Sequence, residues 1–518
     1  MATKVLSQQY QQIEHTVYND DTEKSEIQKF FFGQTIFVTG GTGFLGKLLI
    51  EKLLRVCYDI NKIYVLVRTK KGKKENDRFS EIFDAECFEP LKKKYPNFLQ
   101  KVQLVNGDCL KPDVGLSPES KKMIMDEVTT IFHVAATVRF DQHLRSATYI
   151  NVRSVRDLLR MAKQMPQLKG FLHVSTAYSQ CPKDDIMEQF YSPPITGEHL
   201  LNVVESLKDE TITKITPILL GNWPNSYVFT KAIAESVIEE EGRGLPVAMI
   251  RPAIVTTSAK EPVPGWIDNI YGVNGVTAGA GLGILRTMPA DPDKYAELVP
   301  VDFVINIMIA AVWNRAIGMS KEHQNKTIPV YNYVLSSWQI LTWSKFFDLA
   351  YKYGIECPTT KAIWHFCFAL RPNPIMHELA HFFLHTIPAY LMDLILLCIG
   401  RKAIAVEGYK KVKKFLNVIA YFAKRNWNFG SENTQQLLST LSQKDKELFG
   451  FDLRGHSIDN LIKQGIIGGR IYLLKDPLET IPEGRKKFLK LKIAHYIVCG
   501  FALYFLIRIA LLVFKSMF

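Results

Sequence analysis

The sequence predicts an α/β protein in which a doubly wound parallel sheet fills the first two thirds of the chain, a helical domain follows, and a C-terminal transmembrane helix ends it. Three observations carry that expectation. Short apolar, β-branched runs alternate with stretches of helical periodicity, the order that builds a parallel sheet with helices on both faces. The first run, Ile36-Phe37-Val38, stops at a cluster of glycines and passes at once into a helical pattern of Leu45, Leu48, Leu49, Leu53 and Leu54. The segment from Ile493 to Phe514 is almost wholly apolar, with Arg508 its one charge, and about 20 such residues suffice to cross a bilayer.

The stretch Thr39-Gly40-Gly41-Thr42-Gly43-Phe44-Leu45-Gly46 is the first element to justify. Gly40 and Gly43 allow a sharp turn and close approach to a pyrophosphate, and Gly46 lets the helix pack close to the strand. The free N–H groups at the helix start, helped by the helix dipole, suit a diphosphate. Set between strand and helix, the turn reads as a Rossmann-like dinucleotide site, with all eight residues as candidate cofactor contacts. A second strand, Lys62 to Val67, ends at Arg68, where NAD-preferring folds place an acidic residue. A cation there suits a 2′-phosphate and predicts NADPH. Lys70, Lys71, Lys73 and Lys74 follow as a basic loop.

A third strand, Val102 to Val105, leads to Asp108, a candidate acceptor for the adenine amino group. A fourth spans Ile131 to Ala136, and its small residues, Ala135 among them, let backbone run close to a cofactor. Helical periodicity returns over Asn151 to Met165. A fifth strand, Gly170 to Val174, is followed by Ser175-Thr176-Ala177-Tyr178. Every one of these polar candidates falls at the C-terminal end of a strand, where such sheets bind ligands. Ser226-Tyr227-Val228-Phe229-Thr230-Lys231 opens a long helical pattern. Tyr227 and Lys231 are four apart and share a helix face. An ammonium beside a phenol is expected to lower the phenol's pKa from about 10 and make it a usable proton donor. Thr176 or Ser175 supplies a hydroxyl to orient the substrate oxygen.

Composition narrows the partners. The 518 residues carry a formal charge of +13, which suits anionic small molecules and acidic lipid; no zinc-finger or RNA-binding signature points to nucleic acid. The eight cysteines are scattered without a CxxC pair, the pattern of free thiols rather than a disulfide framework. The polar N-terminus lacks an apolar core, so no secretory signal is expected. Arg485, Lys486, Lys487, Lys490 and Lys492 precede the terminal span and only Lys515 follows it, which places the bulk of the chain on the cytosolic side.

Thr39–Gly46, Asp108, His133–Ala136, Ser175–Thr176 and Tyr227/Lys231 together resemble the extended short-chain dehydrogenase/reductase pattern. Val174–Tyr178, Arg251-Pro252, Glu261-Pro262-Val263-Pro264-Gly265-Trp266-Ile267-Asp268-Asn269 and Val299-Pro300-Val301-Asp302 narrow this. With them the chain resembles the eukaryotic alcohol-forming fatty acyl-CoA reductases, the insect members most closely, over nearly its whole length. Val255-Thr256-Thr257 departs from the pattern where a Gly/Pro-rich turn is expected. The resemblance implies NADPH-dependent reduction of a long-chain or very-long-chain acyl-CoA to a primary alcohol, with release of coenzyme A, by two hydride transfers through a bound aldehyde. It implies that Tyr227 protonates the oxygen, that Thr176, favoured over Ser175 by strand alignment, helps hold it, and that Lys231 also binds the nicotinamide ribose. A single-step dehydrogenase of the hydroxysteroid type shares the pattern, and a protein that holds NADPH without turnover is the alternative of a different class. The expected membrane is the endoplasmic reticulum, with the peroxisome as alternative, and a homo-oligomer is compatible with the sequence.

The expected domain order is a tail at 1–28, the catalytic domain at 29–355, a helical domain at 356–465, and a connector with anchor at 466–518, the span covering about 493–514. The Gly-rich stretch from Val263 to Arg286 suits either an irregular surface connection or a loop lying over the substrate, and the resemblance implies the second, a wall of the acyl-CoA site. His377-Glu378-Leu379-Ala380-His381 matches a zinc-binding pattern, but it is short and lies outside the strand-edge site, so no metal is expected. Phe382 to Ile399 is apolar yet contains His385, Pro388 and Asp393, and reads as a helix in the membrane interface rather than a second span. Asn325-Lys326-Thr327 is a glycosylation acceptor that a cytosolic domain leaves unused.

Overall fold

The computed structural model describes residues 23–69, 75–320 and 327–517. Lys70, Lys71, Lys73, Lys74, the first 22 residues and Asn325-Lys326 lie outside the described residues. The chain divides into two compact units. The first comprises the residues up to Trp266 together with Tyr295–Leu341 and Asn426–Ser457, and the second Ile267–Lys294, Thr342–Arg425 and Ile458–Phe518.

The first unit is built on seven parallel strands: β1 (Thr35–Thr39), β2 (Lys62–Val67), β3 (Val102–Asn106), β4 (Thr130–His133), β5 (Gly170–Val174), β6 (Val247–Pro252) and β7 (Val330–Tyr333). Their order is β3-β2-β1-β4-β5-β6-β7, with every pair parallel. The chain winds outward from β1 to β3, returns to β4 and winds the other way. The order therefore reverses between β1 and β4, and the crevice at that point is where such sheets bind ligands.

Register explains how both faces are buried. Tyr64, Phe37, Ile131, Phe171 and Val247 are successive partners across five strands and share one core with Ile124, Val152, Leu158, Phe229, Ile233 and Val237 from the covering helices. The alternate row, Val65, Val38, Phe132, Leu172 and Ala248, faces the other way, as strand pleating requires. There the helices Phe44–Val56 and Val301–Ser320 pack. A Cβ on Gly170 would meet Val312 at 2.5 Å, and one on Gly41 would meet Val65 and Ile50. A sheet buried on both faces needs near-continuous apolar strands, which is what β1, β2 and β5 supply. The late segment Asn426–Ser457 packs in this unit, where Tyr333 donates its hydroxyl to the Phe451 carbonyl at 2.7 Å. Among the described residues no cysteine is joined in a disulfide.

The second unit is helical. Trp343–Glu356 packs on Ile458–Gly468, and Trp343, Phe346 and Phe347 form an aromatic cluster with Phe368. The Gly-rich stretch expected as a loop contains a helix, Val273–Gly281; its Val, Thr and Ala residues sustain one turn after another between the glycines. From Pro374 to Cys398 the chain stays helical, with a π-turn at Phe382–Thr386. Its buried stripe is His377, His381, His385, Ala389 and Asp393, whereas Ile375, Leu379, Phe383, Tyr390, Leu394 and Leu397 are exposed. That polarity is inverted relative to a soluble surface helix. Asp393 accepts from the backbone N–H groups of Ile404, Ala405 and Val406 at 2.8–3.0 Å, satisfying the start of the helix Ala405–Ala423. The last helix, Ile481–Met517, is long and apolar enough to cross a membrane and exposes its whole apolar window.

Candidate active site

The glycine turn holds its shape through backbone contact. Gly40 adopts a φ of +78°, and a Cβ there would lie 2.7 Å from the Ala135 nitrogen, so β1 and β4 approach each other backbone to backbone at their C-terminal ends. A Cβ on Gly46 would meet the Gly40 carbonyl at 2.2 Å. The helix Phe44–Val56 begins at Gly43 with no side chain capping it, which leaves its first N–H groups and the positive end of its dipole directed at the crevice. These features fit a dinucleotide diphosphate. Thr39 is turned inward: its hydroxyl meets His133 Nδ1 at 2.7 Å and accepts from the Ala135 N–H at 3.3 Å. Phe44 stacks on Trp266, with ring centroids 5.6 Å apart, tying the turn to the Pro262–Trp266 loop. Thr42 and Leu45 are half-buried at the turn.

At the end of β2, Arg68 lies 4.0 Å from the Asp108 carboxylate, and Asp108 accepts from the Leu110 N–H at 3.0 Å. A second cation stands here that sequence reasoning missed. Arg78, from the helix Glu75–Phe83, donates to Thr42 Oγ1 at 3.3 Å and to the Arg68 carbonyl. Burial and the neighbouring Arg68 charge both push its pKa down. Two like charges held beside a glycine turn favour an anion between them. The available signal was weak: Arg78 is ten residues past Arg68, on a helix that follows a basic run.

The candidate catalytic groups converge at the end of β5. The helix Ser226–Glu241 is capped by Asn225, which accepts from the Val228 N–H at 3.1 Å. Its first turns place Tyr227 and Lys231 on one face. The Thr176 hydroxyl accepts from the Tyr178 N–H at 3.4 Å and lies near enough to the Tyr227 phenol to oppose the rise of its pKa. Ser175 is engaged elsewhere, donating to Glu235 at 2.5 Å. Lys231 donates to the Val174 carbonyl at 2.6 Å. His133 and His173 stack behind it, 5.5 Å apart; burial and the Lys231 charge drive both imidazoles to the neutral form, His133 down to about 3.

One electrostatic expectation is overturned. Lys231 is expected from the sequence to lower the pKa of Tyr227, but burial instead pushes the phenol up to about 12, with the nearby Thr176 hydroxyl only partly opposing it. Burial also brings Lys231 down to about 8, against the pull of Glu235. In this water-poor site desolvation outweighs the mutual effect of the pair. The consequence is a phenol that keeps its proton at neutral pH, as a donor requires.

The second motif lies in the helical unit. His377 meets Thr287 Oγ1 at 3.1 Å, His381 meets Thr386 at 3.4 Å, and His385 accepts from the Arg286 N–H at 2.9 Å. Glu378 points away, to Lys413 at 2.6 Å. Among the described residues no group of three His, Cys, Asp or Glu side chains is placed to hold a metal.

Comparison with known proteins bears on both units. A family model described as Male sterility protein, for its NAD-binding part, matches residues 38–308, and a second of the same description, named Sterile, matches residues 384–476. The chain is 38% identical to fatty acyl-CoA reductase wat of Drosophila melanogaster, covering 95% of this chain and 96% of that protein. It is 38% identical to fatty acyl-CoA reductase 1 of Rattus norvegicus and 37% to that of Homo sapiens, covering 91% of this chain and 90% of the relative in each case. Among solved structures, a nonribosomal peptide synthetase reductase domain from Mycobacterium tuberculosis aligns with a TM-score of 0.55 at 17% identity, over 89% of this chain and 97% of that one. The terminal reductase domain of the myxalamid pathway aligns with a TM-score of 0.53 at 20% identity, over 85% and 91%. These two share the fold.

Proposed function

The chain belongs to the fatty acyl-CoA reductase family, and on that premise we propose that it reduces long-chain acyl-CoA thioesters to primary alcohols with NADPH. The oxidoreductase class and the nicotinamide cofactor follow from the family and its NAD-binding region. The observation that carries the rest is that Lys231 bonds the last carbonyl of β5, two residues before Thr176, with Tyr227 one turn earlier on the same helix face, beside the crevice where the strand order reverses.

When bound, NADPH supplies hydride, once to the thioester carbonyl carbon and, from a second molecule, once to the aldehyde left after coenzyme A departs. Gly40–Gly46 would hold its diphosphate and Lys231 its nicotinamide ribose. Asp108 would accept from the adenine amino group, and Arg68 with Arg78 would take the 2′-phosphate. Tyr227 donates its phenolic proton to the carbonyl oxygen as negative charge builds there. Thr176 fixes the direction of that hydrogen bond, and the Lys231 ammonium one turn away stabilises the same charge in a low-dielectric setting. The same three groups serve both reductions.

The terminal helix would anchor the enzyme in the bilayer with the basic residues Arg485–Lys492 on the cytosolic side. The inverted polarity of Pro374–Cys398 supports a helix lying among lipid, with its histidine stripe turned to protein. The experiment is an assay of membranes bearing the full-length chain, given NADPH and a ladder of acyl-CoAs. The expected products are fatty alcohol and free coenzyme A, with two NADPH consumed per thioester. Consumption of one NADPH with no coenzyme A released would contradict the reading.

A further inference from the structure

The helix face that carries Tyr227 and Lys231 continues, one turn on, to Glu235. Its carboxylate is buried, 1% exposed, and all its bonds are made to protein. One oxygen accepts from Ser175 Oγ at 2.5 Å and Arg251 Nε at 2.9 Å; the other accepts from Gln180 Nε2 at 3.1 Å and Arg251 Nη2 at 2.7 Å. Arg251, from β6, is itself fully buried and spends its remaining donors on the carbonyls of Met187 and Gln189, each at 2.9 Å. The cluster thus joins the catalytic helix, the end of β5, β6 and the segment after Cys181. A buried ion pair is weak evidence of stabilisation, because apolar residues of like volume would do as well. What it adds is a fixed geometry, and here it fixes the residue adjacent to Thr176.

We propose that Glu235, braced by Arg251, is a positioning residue for the reducing site: it seats Ser175, and with it the adjoining Thr176, beside Tyr227, and it holds a buried negative charge one helix turn from Lys231. This rests on the reading of Tyr227, Thr176 and Lys231 given above. The charged and titratable groups around Lys231 are Tyr227 and Glu235 on its own helix, His133 and His173 on the strands beneath, and Arg251 behind Glu235. Burial keeps both imidazoles neutral. Arg251 and the hydrogen bonds overcome burial to hold Glu235 ionised. The opposing pull on Lys231 therefore comes from Glu235.

The test is Glu235→Gln in the full-length, membrane-bound enzyme, beside Ser175→Ala and Tyr227→Phe. In Glu235→Gln, kcat is expected to fall about tenfold to a hundredfold, the scale of a misplaced reacting group, with KM for acyl-CoA and NADPH little changed. The alkaline limb of the kcat profile should move to lower pH, because the ammonium loses its counter-charge. Ser175→Ala keeps the charge, so kcat should drop several-fold with the limb unmoved. A purely structural brace would lower the folded fraction and leave the limb of the surviving enzyme in place, and that result overturns the proposal. If Glu235→Gln does not fold, wild-type kcat in Ser175→Ala overturns it instead. Activity retained in Tyr227→Phe would sink the site reading itself, whereas an inactive Tyr227→Phe beside a wild-type Glu235→Gln sinks the brace alone.

Discussion

Two helices of this chain carry a pair of reactive side chains four residues apart, Tyr227/Lys231 in the sheet unit and His377/His381 in the helical unit, and spacing alone treats them alike. Their surroundings do not. The first pair looks onto the end of β5, where Lys231 donates to the Val174 carbonyl and Glu235, one turn on, accepts from Ser175. The second lies on a buried polar stripe whose partners are Thr287, Thr386 and, through His385, a backbone N–H, with the intervening Glu378 turned out to Lys413. An i, i+4 pair puts two groups on one face; the chemistry comes from what that face meets.

The largest test of that contrast is Tyr227→Phe. Removing a general acid is expected to lower alcohol formation by about a thousandfold, while NADPH still binds, as read by quenching of intrinsic fluorescence. A phenol needed only for packing would leave activity within a few-fold.

Next in size is the phosphate end of the same crevice. Arg68→Ala and Arg78→Ala should each raise KM for NADPH by about tenfold to a hundredfold, the worth of a charge-assisted hydrogen bond, and leave KM for NADH nearly unchanged. Steady-state kinetics with both cofactors decides it. If Arg78→Ala behaves as wild type, the second cation belongs to the fold and not to the cofactor.

Much of this region was legible in the sequence, and for local reasons. Ile36-Phe37-Val38 followed by Gly40 is a strand and a turn whatever surrounds it, and Tyr227 and Lys231 share a face by helical arithmetic. What was not legible depends on distance in space. Arg78 reaches the turn from a helix that spacing does not connect to it. The acidity of Tyr227 follows burial, which no pairwise count along the chain contains. The helix Val301–Ser320 is apolar enough to pass for a membrane span, yet it is mostly buried and packs on β5 and β6. Only the partner face separates it from Ile481–Met517. The apolar character of Phe382 to Ile399 was legible in the residue order, whereas the residues of Pro374–Cys398 that turn inward, His377, His381, His385, Ala389 and Asp393, became visible only from burial.

The pH dependence sharpens the contrast in a different way. Lys231, brought down to about 8 by burial, should lose its proton as the pH rises through 8, and kcat should then fall by about tenfold per unit. Stability should move oppositely. The unfolded chain keeps that proton to about 10.5, so between these values it binds more protons than the folded one, and the Lys231 contribution to stability rises with pH. Activity falling while the melting temperature holds or climbs would assign the alkaline limb to the site; both falling together would assign it to unfolding.

The smallest effects are expected at the other pair, and they bear on whether His377-Glu378-Leu379-Ala380-His381 does chemistry. Glu378→Gln breaks only an exposed ion pair with Lys413, worth about 0.2–1 kcal/mol. His377→Ala leaves the Thr287 hydroxyl without its ring partner, at about 1 kcal/mol of stability. Neither residue belongs to the unit that carries the strand-edge crevice, so kcat should stay within about twofold, and a strong chelator should have no effect on alcohol formation. A metal-dependent base at Glu378 demands the reverse, loss of activity in both variants and on chelation, restored by added zinc. That outcome would make the two pairs chemically equivalent and remove the distinction on which the assignment of the Tyr227 site rests.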